Sequence, residues 1–234
     1  MLGYRTETPP DVSAEDYHKG KHPAFGRANP ELAKTAFWTA MVRSGGTASM
    51  AIRKFEGSRD MMMGPVWSYH RHGMSLTPLP DGRYIEIAGE HEDGYDPDFY
   101  IYNDVIVHDS RGGCQIYTYP KHIFPPTDFH SATLVGTKIY VIGCLGYRHE
   151  RRPGFTPVHA LDIETFEIAE VPTRGAMPGW IYRHTARLDA DEIVITGGKA
   201  VTLAEGDQQH TANLQTYRLS LKDRVWRRDM DMEG

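Results

Sequence analysis

Cysteine is nearly absent from this chain: its 234 residues include only Cys114 and Cys144. Two cysteines make no disulfide framework, and they suit a reducing compartment. No apolar run approaches the ~18 residues that a membrane span needs. The polar, proline-broken stretch 1–23 has no apolar signal-peptide core. These absences lead to the expectation of a cytoplasmic protein with no membrane partner. An excess of positive charge is also lacking. The formal net charge is −5, and a field of that sign repels a phosphate backbone, so no nucleic-acid partner is expected. A Ser-His-Asp order, a glycine-rich phosphate loop, CxxC and HExxH are all missing, which leaves nucleophilic and zincin-type chemistry without support. No two histidines have a recognised ligand spacing in one element, so no metal ligand is assigned and the cofactor stays open.

What the chain does contain is a repeat. Three strand-like runs, RYIEIAG, KIYVIG and EIVITGG, end at Gly89, Gly143 and Gly197, which are spaced 54 residues apart. A short apolar strand and a tight turn precede each run: MSLTPLPDG, HSATLVGTK and HTARLDADE. A third strand follows in YNDVIVHD, PVHALDI and LQTYRLS, and a fourth in CQIYTYP, FEIAEVP and VWRRD. Units of four short antiparallel strands at this period are the signature of propeller blades.

The units resemble kelch repeats. The likeness is carried by His130 and His184 leading the first strands, the doublet Gly197-Gly198, the Asn103-Asp104-Val105 strand and Trp226 in a fourth strand. Two doublets are incomplete, since Ala88 precedes Gly89 and Cys144 follows Gly143. The resemblance implies an all-β fold of kelch-like β-propeller blades at about 65–122, 123–176 and 177–230. It implies little about activity, because the fold hosts enzymes and binding modules alike. Three blades fall short of the about four to eight of a complete propeller. Closure is therefore expected from a homo-oligomer, from the N-terminal segment as a plug, or from sequence of a longer parent.

Residues 1–64 lie outside the repeat and read as an arm and helical segment packing on the blades. NPELAKTAFWTAMVRSGG is expected to be a helix, with Asn29 as N-cap, Pro30 in the first turn and Gly45 past the end, the alternative being that AFWTAMV is a strand of an irregular extra blade. TASMAIRKF predicts a second, shorter helix. Phe37, Trp38, Met41 and Val42 form one apolar stripe on the first helix.

In a four-stranded antiparallel blade the loops alternate between two faces. The turns between first and second, and between third and fourth, strands are short and explained by turn chemistry. The opposite face gathers the long loops between second and third strands and the crossovers between blades. Long loops on a rigid scaffold are where binding residues concentrate. The candidate ligand-binding residues are Arg71 and His72 from YHRHG; Glu90, His91 and Asp93 from the acidic GEHEDGYDPDF; Asp128 and His130; Tyr147 and Arg148; Trp180, Tyr182, Arg183 and His184 from PGWIYRH; and Lys199. Strand alternation would put Trp180, Tyr182 and His184 on one side and Arg183 on the other. The equivalent positions of His130 and His184 also fit a structural role. The cationic GYRHERRPG loop is expected either to salt-bridge the acidic loop or to hold a carboxylate. The functional expectation is a recognition module for a peptide, protein or small polar ligand. The alternative is an enzyme that uses loop-face His and carboxylates as general acid/base or metal ligands.

Overall fold

The computed structural model describes residues 8–58, 64–91 and 99–229. Among these, strands dominate and three α-helices occur. α1 (Ala14–Gly20) begins where the Ser13 hydroxyl accepts the Asp16 amide. A short strand, β1 (Glu31–Leu32), follows. α2 (Ala36–Ser44) is capped by Thr35 and ends at Gly45 in the left-handed conformation. The expected start at Asn29 is therefore corrected by six residues. Two pairings hold the intervening chain extended: β1 lies along a sheet edge, and the Asn29 amide bonds backbone of another strand. α3 (Ala48–Phe55), capped by Thr47, matches the expected second helix.

The remaining strands run in chain order. β2 (Ser75–Pro78) and β3 (Tyr84–Ile87) precede the two-residue pair β4 (Glu90–His91) and β5 (Tyr100–Ile101), and β6 (Val105–His108) and β7 (Cys114–Thr118) follow. Next come β8 (Ser131–Val135), β9 (Lys138–Ile142), β10 (Val158–Asp162) and β11 (Ile168–Glu170). After β12 (Arg174–Gly175) and β13 (Trp180–Tyr182) come β14 (Thr185–Asp189), β15 (Glu192–Thr196), β16 (Lys199–Ala204), β17 (Asp207–Ala212), β18 (Tyr217–Ser220) and β19 (Val225–Arg228). They form five sheets: β1-β7-β6-β3-β2, β11-β10-β9-β8, β12-β19-β18-β15-β14, β13-β16-β17 and β4-β5. Each expected strand stretch of the repeat holds a strand of the three larger sheets. The stretch after Gly197, read as a loop, is instead the hairpin β16–β17. Its two turn residues, Glu205 and Gly206, both take positive φ (53° and 83°), as the favoured two-residue hairpin turns require.

β8 lies beside both β2 and β14, so the three larger sheets spread like a fan and do not close into a ring. The two ends of the fan are finished differently. At the first sheet, Tyr17, Phe37, Trp38, Met41 and Val42 of the helices share one buried cluster with Trp67, Tyr102, Ile106 and Ile116. Trp38 stacks on Trp67 with ring centroids 5.1 Å apart. At the third sheet, Ile193, Ile195, Leu219 and Trp226 pack inward with Ile142 and Val158 of the second sheet. Its far face carries Arg187, Asp189, Glu192, Arg218, Arg227 and Asp229, joined in one chain of ion pairs. A charged outer face can stay in water, as terminal caps of repeat proteins do. One end of the fan is thus covered by helices and the other presents charge.

Outer sheet edges are covered as well. β1 pairs with β7, and β12 pairs in parallel with β19. At β11 the Asn29 side chain stands in for a strand: its Nδ2 donates to Ile168 O (2.8 Å), and its Oδ1 accepts from Ile168 N (3.0 Å).

If the helices are part of the core, Trp38→Ala will lower the unfolding free energy by about 3–5 kcal/mol. Arg187→Ala, on the solvated network, will change it by less than about 1 kcal/mol. Urea denaturation of both variants reads this directly, and equal small losses would show that the helices are peripheral.

Candidate functional site

The sheets are joined at the loop face by a repeated motif. Gly73, Phe129 and Arg183 each precede an innermost strand and each take positive φ (64°, 49° and 56°). Phe129 N donates to Gly73 O, and Arg183 N donates to Phe129 O, both at 2.8 Å. Beside each backbone rung lies a histidine. His130 Nε2 pairs with Ser75 Oγ at 2.7 Å, and His184 Nε2 pairs with Ser131 Oγ at 2.8 Å. Burial drives His130 down to about 3 and His184 to about 4, so both imidazoles are neutral. These two predicted site residues therefore tie one sheet to the next. The positive φ at Arg183 also ends the expected alternation. Trp180 and Tyr182 stay together in a cluster with Cys144 and Val201, while His184 turns to Ser131. The Arg183 guanidinium lies 4.1 Å from the Phe129 ring centroid.

Arg71 is wholly buried and serves the first sheet. Its guanidinium forms a two-pronged ion pair with Asp104, donates to the carbonyls of Ser68 and Ala88, and lies 3.4 Å from the Tyr102 ring centroid. Burial opposes its charge, but the Asp104 field more than offsets this and raises its pKa. Nearby, His72 and Glu90 exchange two backbone hydrogen bonds of 2.8 Å. His91 is buried, and its Nδ1 donates to His70 O at 3.0 Å. The near end of the acidic loop thus turns toward the crossovers and away from solvent. Asp93 and the rest of its carboxylates lie outside the described residues.

Asp128 has no exposed surface. Its Oδ1 accepts Gly146 N at 2.6 Å, and the Glu90 side chain lies close to its carboxyl. Burial raises its pKa, and these contacts offset only part of the rise. Tyr147 closes the arrangement, its hydroxyl accepting Ile101 N at 2.9 Å. The carboxylates of the acidic loop beyond Glu90 lie outside the described residues, and the cationic loop has other described partners. Arg148 pairs with Asp207 of the β16–β17 hairpin. Arg151 donates to the carbonyls of Leu145 and Gly146 and reaches Gln208. Lys199 is an exposed residue of β16, paired with Ala212.

A groove of about 830 Å³ opens between the crossover 121–127 and strands β10 and β11 of the second sheet, with Trp180 of β13 also in its lining. Ile123, Pro125, Pro126, Ile168 and Trp180 give it apolar walls. Lys121 and Glu150, paired at 2.5 Å, and Arg152 stand at its rim. The Arg152 guanidinium stacks over Phe155 at 3.9 Å and has no carboxylate partner among the described residues. Two further groups in the lining were missed in the sequence. His159 is lowered to about 4, first by burial and then by Arg152. The Cys144 thiol is pushed up by burial and by Asp128, so it stays protonated. His159 sits inside the run PVHALDI, where a strand histidine gives no sign of facing a groove. Among the described residues no cluster of His, Cys, Asp or Glu could hold a metal ion, and no helix is long and apolar enough to cross a membrane.

No protein-family model matches the chain, and a search of curated proteins finds no match either.

The three neutral histidines set the pH dependence. In the unfolded chain each titrates near ~6.5, whereas in the native chain His130 titrates at about 3 and His159 and His184 at about 4. As pH falls through the window from about 6.5 to about 4 the unfolded state binds more protons, so stability falls. Asp128 acts in the opposite sense, because its raised carboxyl holds a proton that the unfolded chain has lost. Near pH 5 unfolding should take up about two to three protons at these histidines, falling below about one at pH 7. His184→Gln, which keeps a polar partner for Ser131, should remove about one of them. An unchanged slope would show that His184 is not neutral in the native chain.

Proposed function

We propose that this chain is a kelch-like recognition module, built from three four-stranded blades whose open ends are finished by the N-terminal helices and by the ionic face. The 54-residue period, the strand order within the three larger sheets and the repeated His–Ser joints support this reading. Its ligand sits in the groove beside the crossover that joins the first two blades. The observation that carries the assignment is the groove itself: about 830 Å³, apolar along its length, with a guanidinium at the rim that lacks a carboxylate partner among the described residues. Pockets of this size and character take small molecules or short peptide segments. Arg152 adds a fork for a carboxylate, so an apolar ligand bearing one carboxylate suits it best.

Phenylbutyrate and its neutral amide are suitable probes. The carboxylate should raise the melting temperature and shift the groove resonances in NMR, and the amide should do so at least tenfold more weakly. Arg152→Ala should erase the difference between the two without lowering the melting temperature of the unliganded protein. If neither probe perturbs Trp180 or Ile168, the groove is not the site.

A second reading rests on Asp128. A buried carboxyl with a raised pKa, lying near Glu90 and Arg151, is the kind of group that general acid chemistry uses. Asp128→Asn keeps the bond from Gly146 out of reach of titration. Loss of any turnover found for the wild-type protein, with phenylbutyrate binding retained, would favour that reading.

A further inference from the structure

The chain covers the outer edges of its three larger sheets with β1, β12 and the Asn29 amide, yet it leaves one long edge open. β17 ends the sheet β13-β16-β17 and pairs on one side only. Asn213 N donates to Gly198 O at 3.0 Å, just beyond the ladder. Antiparallel alternation then turns the backbone groups of residues 207, 209 and 211 toward β16, and those of Gln208, His210 and Ala212 outward. The Gln208 amide is occupied by Asp207 Oδ1 at 2.9 Å. The outward groups of His210 and Ala212 have no backbone partner among the described residues, and residues 209–212 are all exposed. The edge carries no lysine or proline and no bulge, the devices that usually block pairing with another chain.

Charge says what would pair there. His210 is lowered first by burial and then by Arg151, Lys199 and Arg148, so three cations surround it. The only acid of the hairpin's β17 strand, Asp207, is engaged by Arg148. Cross-strand pairing puts Lys199, Val201 and His210 on the same face of the hairpin. We propose that the open edge of β17 docks an extended acidic peptide of a partner protein, which adds to the sheet as a further strand. Main-chain bonds to His210 and Ala212 give the pairing, and an acidic residue at every second position faces Lys199, Arg148 and Arg151. The surface is separate from the groove and does not depend on it.

The test uses a fluorescein-labelled nonapeptide of alternating glutamate and valine, with an alternating lysine–valine peptide as control, read by fluorescence anisotropy. The acidic peptide should bind saturably and more tightly at low salt, and the basic one should not bind. His210→Pro, which removes the outward N–H together with the imidazole, should weaken binding at least tenfold. His210→Ala, which keeps that N–H, should stay within threefold of wild type. Lys199→Glu should weaken binding at least fivefold. Hydrogen exchange on the wild-type protein gives an independent reading: the peptide should slow the amides of His210 and Ala212. The proposal is overturned if those amides are unprotected, if both peptides bind alike, or if His210→Ala loses as much as His210→Pro. It is also overturned if the wild-type chain is a dimer that His210→Pro splits, since the edge would then belong to a second copy.

Discussion

The rung that joins neighbouring sheets governs the rest of this structure. Phe129 and Arg183 accept the left-handed backbone region, which disfavours L-residues by roughly 1–2 kcal/mol each, so that their amides can reach the carbonyl of the preceding crossover. Each rung sits beside a His–Ser bond made by the next residue of the chain. Together they fix the angle and height of one sheet against the next. The depth of the groove, the meeting of Asp128 with Gly146 and the position of Trp180 all follow from that register. The same demand explains why the histidines must stay neutral: a charged imidazole there would be buried among apolar strands with only a hydroxyl to face.

An open fan has two problems, exposed faces and exposed edges, and this chain meets both locally. Helices with an aromatic stripe cover the first sheet, and the buried Arg71–Asp104 pair locks the following crossover to that sheet. Breaking one partner of such a pair leaves an uncompensated buried charge, so the pair reinforces order at the junction more than it adds net stability. At the other end the third sheet turns Ile193, Ile195, Leu219 and Trp226 inward and the ionic chain outward. Edges are closed by two short strands and one side-chain amide. Against that background the bare edge of β17 stands apart.

The two proposed surfaces differ in physical character. The groove is apolar with a charged rim, so burial of ligand surface would dominate affinity there and the rim would select. The β17 edge offers main-chain bonds and a cationic flank, so salt would weaken encounter at that surface far more than in the groove.

The repeat period, the strand stretches and the second helix were legible in the sequence, because hydrophobic alternation, terminal glycines and capping residues are local signals. Gly143 shows why such a glycine is required: it takes positive φ, and a Cβ there would collide with the Ile181 carbonyl. The clustering of long loops on one face was legible too, since it follows from antiparallel order alone. Which loop residue serves the ligand and which serves the scaffold was not. Arg71, His130 and His184 read as site residues because charge and imidazole are chemically able, yet their partners Asp104, Ser75 and Ser131 lie 33, 55 and 53 residues away in sequence. Burial decided their roles, and burial depends on how sheets stack. The start of α2 and the β16–β17 hairpin were misread for a related reason: Asn29, β1 and the hairpin strands answer to edges and neighbours that exist only once the sheets have formed. His159 and the groove belong to the same class, for they arise in the space between a crossover and a sheet, and no single stretch of sequence encodes that space.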